Sequence, residues 1–492
     1  MSEFFLELFS EEIPVSLQIN LRKGMLEGIK KILDDKFIKY KKNFSLSTPN
    51  RLVVVFQGID KDFPPGFEYD FSFQAGSIGL ELAARDALLN NGAVITRIVD
   101  GSQADNSGKC REGHQIIAVA GTHGKTSTTS IGAWLLESAG VSPGFLIGGA
   151  ALNFDTTARA AKTDGDSKGF FIIEGDEYNT SFFDRQSPKF VHYRPHAAII
   201  TSVEFDHADI YRDLEHCQEA FKKLVAKMPS DGCLVVRGDH DSVLECVIDP
   251  ACEVRRYGKD QEWDGRIEEL HTDRGSMTFS VLHKGKVIGT FESIMVGEHN
   301  LYNQVALVAV MHFYGIPVEY LQRGFLSFQG IKRRQQVLGS PNSVTVIDDF
   351  AHHPTAINLT LEGLKMRFGD RRLWAIFEPR SATSRRNTFQ QQFAESFDHA
   401  DIVVIAPAFN QSGIPKEERL DVHQLVSDLR SRGKEAFCWG EAPDGQTDWS
   451  TVESATALAI NISANTQQED MVAVLSNGGF GGLHKKLLEQ LH

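Results

Sequence analysis

Between the apolar run Gln115–Ala120 and a helix-like stretch from Lys125 to Ala139 lies Ala120-Gly121-Thr122-His123-Gly124-Lys125-Thr126. A triphosphate is held by backbone N–H groups converging on its oxygens and by the positive end of a helix. Gly121 and Gly124 permit that close backbone approach, Lys125 suits the β- and γ-phosphates, and the Thr126 hydroxyl suits Mg²⁺. Val119 stands where the usual Walker pattern has its first glycine. What remains is G-x-x-G-K-T in a strand–loop–helix setting, which predicts a nucleoside-triphosphate site formed by residues 121–127, Ser127 included.

Two acidic stretches fall at the ends of apolar runs, where ligands of open α/β sheets collect. They are Glu174-Gly175-Asp176-Glu177 and Glu204-Phe205-Asp206-His207. Mg²⁺ takes oxygen donors and keeps several waters, so a carboxylate near the phosphates is expected. Taken alone, Glu174 reads as a solvated strand end and His207 as a packing histidine. Beside a phosphate loop in the same sheet, the balance shifts to Thr126, Glu174 and His207 as metal ligands.

The elements that must position these groups alternate. Strands are expected at Gln115–Ala120, Phe170–Glu174 and Ala197–Val203, and helices at Lys125–Ala139 and Asp213–Met228, a pattern of a mostly parallel sheet covered by helices. Met277–Leu282 and Val287–Phe291 read as a hairpin turning at Lys284-Gly285-Lys286. A second α/β set runs through Ser343–Asp349, Leu373–Pro379, Ile402–Pro407 and Val472–Ser476, placing a domain boundary near residue 330. Ahead of all this, residues 1–63 read as a small α+β unit. It has strands at Phe4–Phe9 and Leu52–Phe56 and a helix on which Leu17, Leu21, Met25, Ile29 and Leu33 recur every fourth residue. Residues 64–110 read as a linker carrying a partial βαβ unit, with strand Phe71–Gln74, a helix near Leu80–Leu89 and strand Ala93–Val99. Its lone G-x-x-G is a weak nucleotide signal.

Composition bounds the rest. The 492 residues suffice for about three domains. A net charge of −14 argues against broad binding to nucleic acid or anionic lipid. No apolar run is long enough to span a bilayer, and the first residues lack the basic start of a secretory signal. The six scattered cysteines form no C-x-x-C pair, so reduced structural thiols and a cytoplasmic setting are expected.

The motifs also fall in a familiar order. Gly121–Thr126, Glu174–Tyr178, Glu204–His207, Gly297–Asn303, Arg333-Arg334 and Asp348–Pro354 resemble those of the Mur ligases. Phe182–Asp184, Lys189–Tyr193, Glu204–Asp209, Glu378–Ser381 and Ser476–Gly482 are similar to the murein-peptide ligase branch, and the resemblance runs from about Arg111 to His492. It implies an ATP-dependent ligase of cell-wall recycling with a P-loop-type central domain at 111–330 and a Rossmann-like C-terminal domain at 331–492. Such enzymes join UDP-N-acetylmuramate to L-alanyl-γ-D-glutamyl-meso-diaminopimelate through an acyl phosphate. By motif, the resemblance implies that Lys125 neutralises the transferred phosphoryl group and that Asn300 and Asn303 contact adenine. It likewise implies that Arg334 meets the phosphates, Asp349 the ribose and His352 the reacting phosphate. Arg380 is a candidate for a substrate carboxylate, which a guanidinium fork suits, and Asn477 lies in a second substrate-binding motif. Several Mur ligases carry a carbamylated lysine where Phe221 stands here, so no carbamate is expected.

The front end departs from that pattern. A glycine-rich loop for the UDP-sugar is absent from the opening residues. Instead Ser2–Pro14 and, less sharply, Ser47–Leu52 resemble the opening of the β subunit of bacterial glycyl-tRNA synthetase. The expectation is a rearranged chain in which ATP binding survives and UDP-N-acetylmuramate binding is weakened. The alternatives are a muramate–alanine ligase, a tRNA-associated module acting through residues 1–63, and a simple P-loop kinase. The kinase leaves Asp348–Pro354 and Asn477–Gly482 without a role.

Overall fold

A computed structural model of the chain describes residues 115–162, 169–180, 184–206, 210–439 and 452–491. Before these it describes 2–9, 42–48, 51–59, 73–75, 80–82, 93–99 and scattered positions between 23 and 41. It divides into two units, Met1–Ile116 with Gly140–Ile173, and Ile117–Ala139 with Glu174–His492.

In the first unit, Ser2–Phe9 pairs antiparallel with Arg51–Ile59 on one side and Ala93–Val99 on the other, and Lys42–Thr48 lies beyond Arg51–Ile59. The predicted strands Phe4–Phe9 and Leu52–Phe56 lie inside the observed ones. Residues 23, 26, 27, 29, 30 and 34 are helical, and Ile29 is buried. The expected βαβ unit is corrected at the start of its helix, and the remainder of that helix, 83–89, lies outside the described residues. Leu80–Leu82 is a strand, not the start of a helix, and pairs antiparallel with Phe73–Ala75. Leu-Glu-Leu alternates with period two, which suits a strand once Phe73–Ala75 lies beside it. The β-branched run Ala93–Val99 completes the antiparallel sheet instead of a parallel one. The unit also holds Gly144–Leu146, which pairs parallel with Phe170–Gly175 and antiparallel with Ala158–Arg159.

The second unit contains two sheets. In the first, Gln115–Ala120, Ala197–Ile200, Cys233–Arg237 and Glu253–Tyr257 run parallel in that order, and Trp263–His271, Ser276–His283 and Lys286–Ser293 extend it, the last two antiparallel. Residues 117–120 and 197–200 are fully buried, as strands covered on both faces must be. Helices Lys125–Ser138, Glu298–Phe313 and Val318–Ser327 pack together. The second sheet has the order Gln336–Gly339, Thr345–Asp349, Met471–Leu475, Leu373–Phe377, Ile402–Ile405, Glu435–Cys438, parallel except at its first strand. One core around Ile347, Leu361, Phe377 and Phe397 and another around Val346, Trp374, Leu458 and Leu483 cover its two faces. This is the doubly wound arrangement expected for the C-terminal part.

Cys217, Cys233 and Cys246 are buried free thiols, and burial pushes all three up to about 12. Among the described residues no helix is long and apolar enough to cross a membrane.

Candidate active site

The loop after Gln115–Ala120 is shaped by two glycines in the left-handed half of backbone space, Gly121 at φ 132° and Gly124 at φ 83°. A Cβ on Gly121 would sit 2.1 Å from Thr201 Oγ1, and one on Gly124 would sit 2.8 Å from Asn303 Oδ1. Both positions therefore exclude a side chain. The loop is tied to the neighbouring strand end, where Thr122 N donates to Ser202 O at 2.9 Å and His123 N to Ser202 Oγ at 3.0 Å. Glu204 N donates to Thr122 Oγ1 at 2.9 Å. Gly124 caps helix Lys125–Ser138 without a side-chain cap, and Lys125, Thr126 and Ser127 open its first turn, where backbone N–H groups have no partner within the helix.

Lys125 Nζ donates to Gly121 O at 2.6 Å and reaches both Glu177 oxygens, at 2.9 and 2.8 Å. Burial by itself would depress the ammonium. The Glu177 charge and hydrogen bond, with Asp176 and Glu174 behind, hold it above its ordinary value. Thr126 Oγ1 donates to Glu174 Oε2 at 3.2 Å, so a hydroxyl and a carboxylate at the helix start form an oxygen pair of the kind Mg²⁺ takes. Lys189 Nζ donates to Asp176 Oδ2 at 2.8 Å, and against the pull of burial it keeps that carboxyl below the usual range.

A second cluster forms where the loop meets the helix Pro354–Phe368. His353 caps that helix, with Pro354 at its first position. Glu204 Oε2 lies 3.5 Å from His123 Nε2 and 3.9 Å from His353 Nδ1, and accepts a 2.7 Å hydrogen bond from Thr355 Oγ1. Burial opposes ionisation of Glu204, yet the His123 contact holds it down to about 2. Burial, aided by His123, pushes His353 down to about 4.

The remaining expected residues divide among other surroundings. Asn300 is buried and donates to Val296 O at 3.0 Å, turned onto its own helix start, whereas Asn303 lies against Gly124. The Arg334 guanidinium lies 5.2 Å over Phe350. Asp349 is buried and already accepts from Gln335 N at 2.7 Å and Ala351 N at 2.8 Å, and burial raises its carboxyl. His352 Nδ1 is 3.0 Å from Phe350 O. Arg380 stacks 3.8 Å over Phe409 with Glu378 3.7 Å from its Nη1, and Gly478 gives it room, since a Cβ there would lie 2.3 Å from Arg380 Cδ. Asn477 Oδ1 is buried with no hydrogen-bond partner among the described residues. His207 and residues 181–183 lie outside the described residues.

Sequence reasoning missed Glu177 as the partner of Lys125, the His353–Thr355 contact with Glu204, and Phe409 beneath Arg380. For Glu177 the signal was the Glu-Gly-Asp-Glu run at a strand end. For His353 it was a histidine directly before a proline, a helix-start pattern. Phe409 carried none.

Residues 119–311 match the Mur ligase middle domain and residues 333–478 the Mur ligase glutamate ligase domain. The chain is 37% identical over 378 residues to a UDP-N-acetylmuramate–L-alanyl-γ-D-glutamyl-meso-2,6-diaminoheptandioate ligase of Haemophilus influenzae, covering 76% of each chain. It is 36% identical over 380 residues to the Escherichia coli ligase of the same name, again covering 76% of each. A crystal structure of a murein peptide ligase from Psychrobacter arcticus aligns with a TM-score of 0.53 at 30% identity, covering 77% of this chain and 78% of that one. With its phosphate loop, its oxygen pair at Thr126 and Glu174 and both catalytic-region domains matched, the chain belongs to the Mur ligase family of ATP-dependent, C–N bond-forming ligases.

Proposed function

We propose that the chain joins the carboxylate of UDP-N-acetylmuramate to the free amine of L-alanyl-γ-D-glutamyl-meso-diaminopimelate in peptidoglycan recycling. The observation carrying this reading is the identity of 37% over 378 residues with a relative named for that reaction. The carboxylate attacks the γ-phosphorus of ATP and ADP leaves. The amine then attacks the acyl carbon, and inorganic phosphate and a proton depart. Catalysis of this kind rests on positioning and charge neutralisation.

In this reading Lys125 sits over the transferred phosphoryl group, and Gly121–Ser127 offer their backbone N–H groups. Thr126, Glu174 and His207 hold Mg²⁺. The hydroxyl–carboxylate pairing of Thr126 and Glu174 suits a hard cation, which supplies charge neutralisation when bound. Asn300, Asn303, Arg334 and Asp349 serve the nucleotide, His352 stands near the reacting phosphate, and Arg380 and Asn477 serve the peptide. We assign domains at 111–330 and 331–492, and read 1–63 as the glycyl-tRNA synthetase-like unit and 64–110 as its connection. Salt-dependent tRNA binding that vanishes on removing residues 1–63 would support a role for that unit.

The test is incubation with Mg-ATP, UDP-N-acetylmuramate and the tripeptide, following phosphate release and product mass. Tripeptide-dependent product is expected. ATP binding without product would overturn the reaction assignment while leaving the nucleotide site, and product with L-alanine alone would redirect it to the muramate–alanine ligases.

A further inference from the structure

His123, Glu204 and His353 come from a loop, a strand end and a helix cap, yet one donor atom of each lies within 4.8 Å of the others. His353 is 5% exposed in its side chain. Neither His123 Nε2 nor His353 Nε2 has a hydrogen-bond partner among the described residues, although both atoms are buried. Two buried imidazoles facing one carboxylate form a poor hydrogen-bond set, because nitrogen lone pairs and N–H groups are left over.

We propose that His123, Glu204 and His353 bind a divalent transition cation of the Zn²⁺ or Co²⁺ class, tying the phosphate loop to the start of helix Pro354–Phe368. Two imidazoles and one carboxylate are a donor set for such borderline ions, with a fourth position left for water. Donors at about 2.1 Å from a tetrahedral ion stand about 3.5 Å apart. The His123 Nε2–Glu204 Oε2 separation of 3.5 Å already has that value, and His353 Nδ1, 3.9 Å from Glu204 Oε2, would exchange its 3.3 Å hydrogen bond from Thr355 N for the cation. Thr355 Oγ1, 2.7 Å from Glu204 Oε2, orients the carboxylate from outside the donor set. The site differs from Thr126, Glu174 and His207, whose hydroxyl–carboxylate pair suits a hard ion, by offering two imidazoles in place of one. The inference does not depend on which substrates the ligase joins.

The test strips the full-length protein with a chelator and titrates it with Co²⁺, excess Mg²⁺ filling the site assigned to Thr126, Glu174 and His207. A saturable visible ligand-field band at one Co²⁺ per chain is expected, and Zn²⁺ should displace it. Glu204→Gln and His353→Gln should abolish the band, and Thr355→Val should weaken Co²⁺ binding by about tenfold. X-ray absorption of the wild-type cobalt form, independent of how the variants fold, should count two imidazole ligands. No saturable band, a band that survives both substitutions, or a shell with fewer than two imidazoles overturns the proposal.

Discussion

Lys125 does two jobs that substitution can separate. Its side chain is 16% exposed and that of Glu177 only 5%, and the two are joined at 2.8 Å. Lys125→Met strands the Glu177 carboxylate, and removing one partner of a buried ion pair costs about 3–5 kcal/mol. The residual exposure of Lys125 puts this case toward the lower end of that range. Adding Glu177→Gln removes the stranded charge, so the double variant should recover most of the loss, with a coupling of about 2–3 kcal/mol between the sites. Urea unfolding of wild type, both singles and the double gives the cycle. Phosphate release in the same four proteins reports the other role. It should fall by at least about 10²–10³-fold in both proteins lacking Lys125, since a positioned donor to developing charge is worth that much. Because Glu177 holds the ammonium above its ordinary value, the pair's contribution is complete below about pH 10.4 and lost as pH rises through the higher folded value. Wild type should therefore lose alkaline stability more steeply than the double variant. A Lys125→Met protein as stable as wild type would refute the charged pair. Retained turnover would remove Lys125 from the phosphate site.

Three further outcomes follow from the same geometry. Gly121→Ala must place a Cβ 2.1 Å from Thr201 Oγ1 at φ 132°, so about 1–3 kcal/mol of strain is expected. Calorimetry should show weaker ADP binding, and unchanged affinity would exclude this loop as the phosphate cradle. Burial, helped by Arg237 and Arg334, pushes His299 down to about 4, so its contribution is present above about pH 6.5 and lost as pH falls through that folded value. His299→Gln should flatten the stability profile across that window, and an unchanged acid slope would contradict it. Asp470 accepts from Arg372 Nη2 at 2.6 Å and Trp374 Nε1 at 2.9 Å. Asp470→Ala should lower stability by about 2–3 kcal/mol while turnover per folded molecule holds, and a drop in turnover alone would refute a purely structural role.

What the sequence determined by itself was local. The strand Gln115–Ala120, the helix after Gly124 and the hairpin around Lys284–Lys286 follow from apolar period, glycine placement and turn chemistry. Each is decided within a few residues, and each lies where it was expected. The tight loop Gly121–Gly124 ahead of that helix was legible for the same reason, since its glycines are contiguous with the helix start. Tertiary structure decided the rest. Leu80–Leu82 pairs as a strand because a partner at Phe73–Ala75 satisfies its backbone. Ala93–Val99 joins Ser2–Phe9, far away in the chain, which no local period encodes. Glu177 could not be distinguished from Asp176 as the partner of Lys125 until the strand end was fixed against the helix start. Thr355 meets Glu204 across 151 residues of chain, a contact set by how the two strand ends and the helix cap converge. The backbone N–H groups of Gln335 and Ala351 reach the Asp349 carboxylate only in the folded chain, so its immediate partners were not readable from the sequence. Periodicity tells a residue which face to bury. Which groups then share that interior depends on strand order, and strand order is a property of the whole chain.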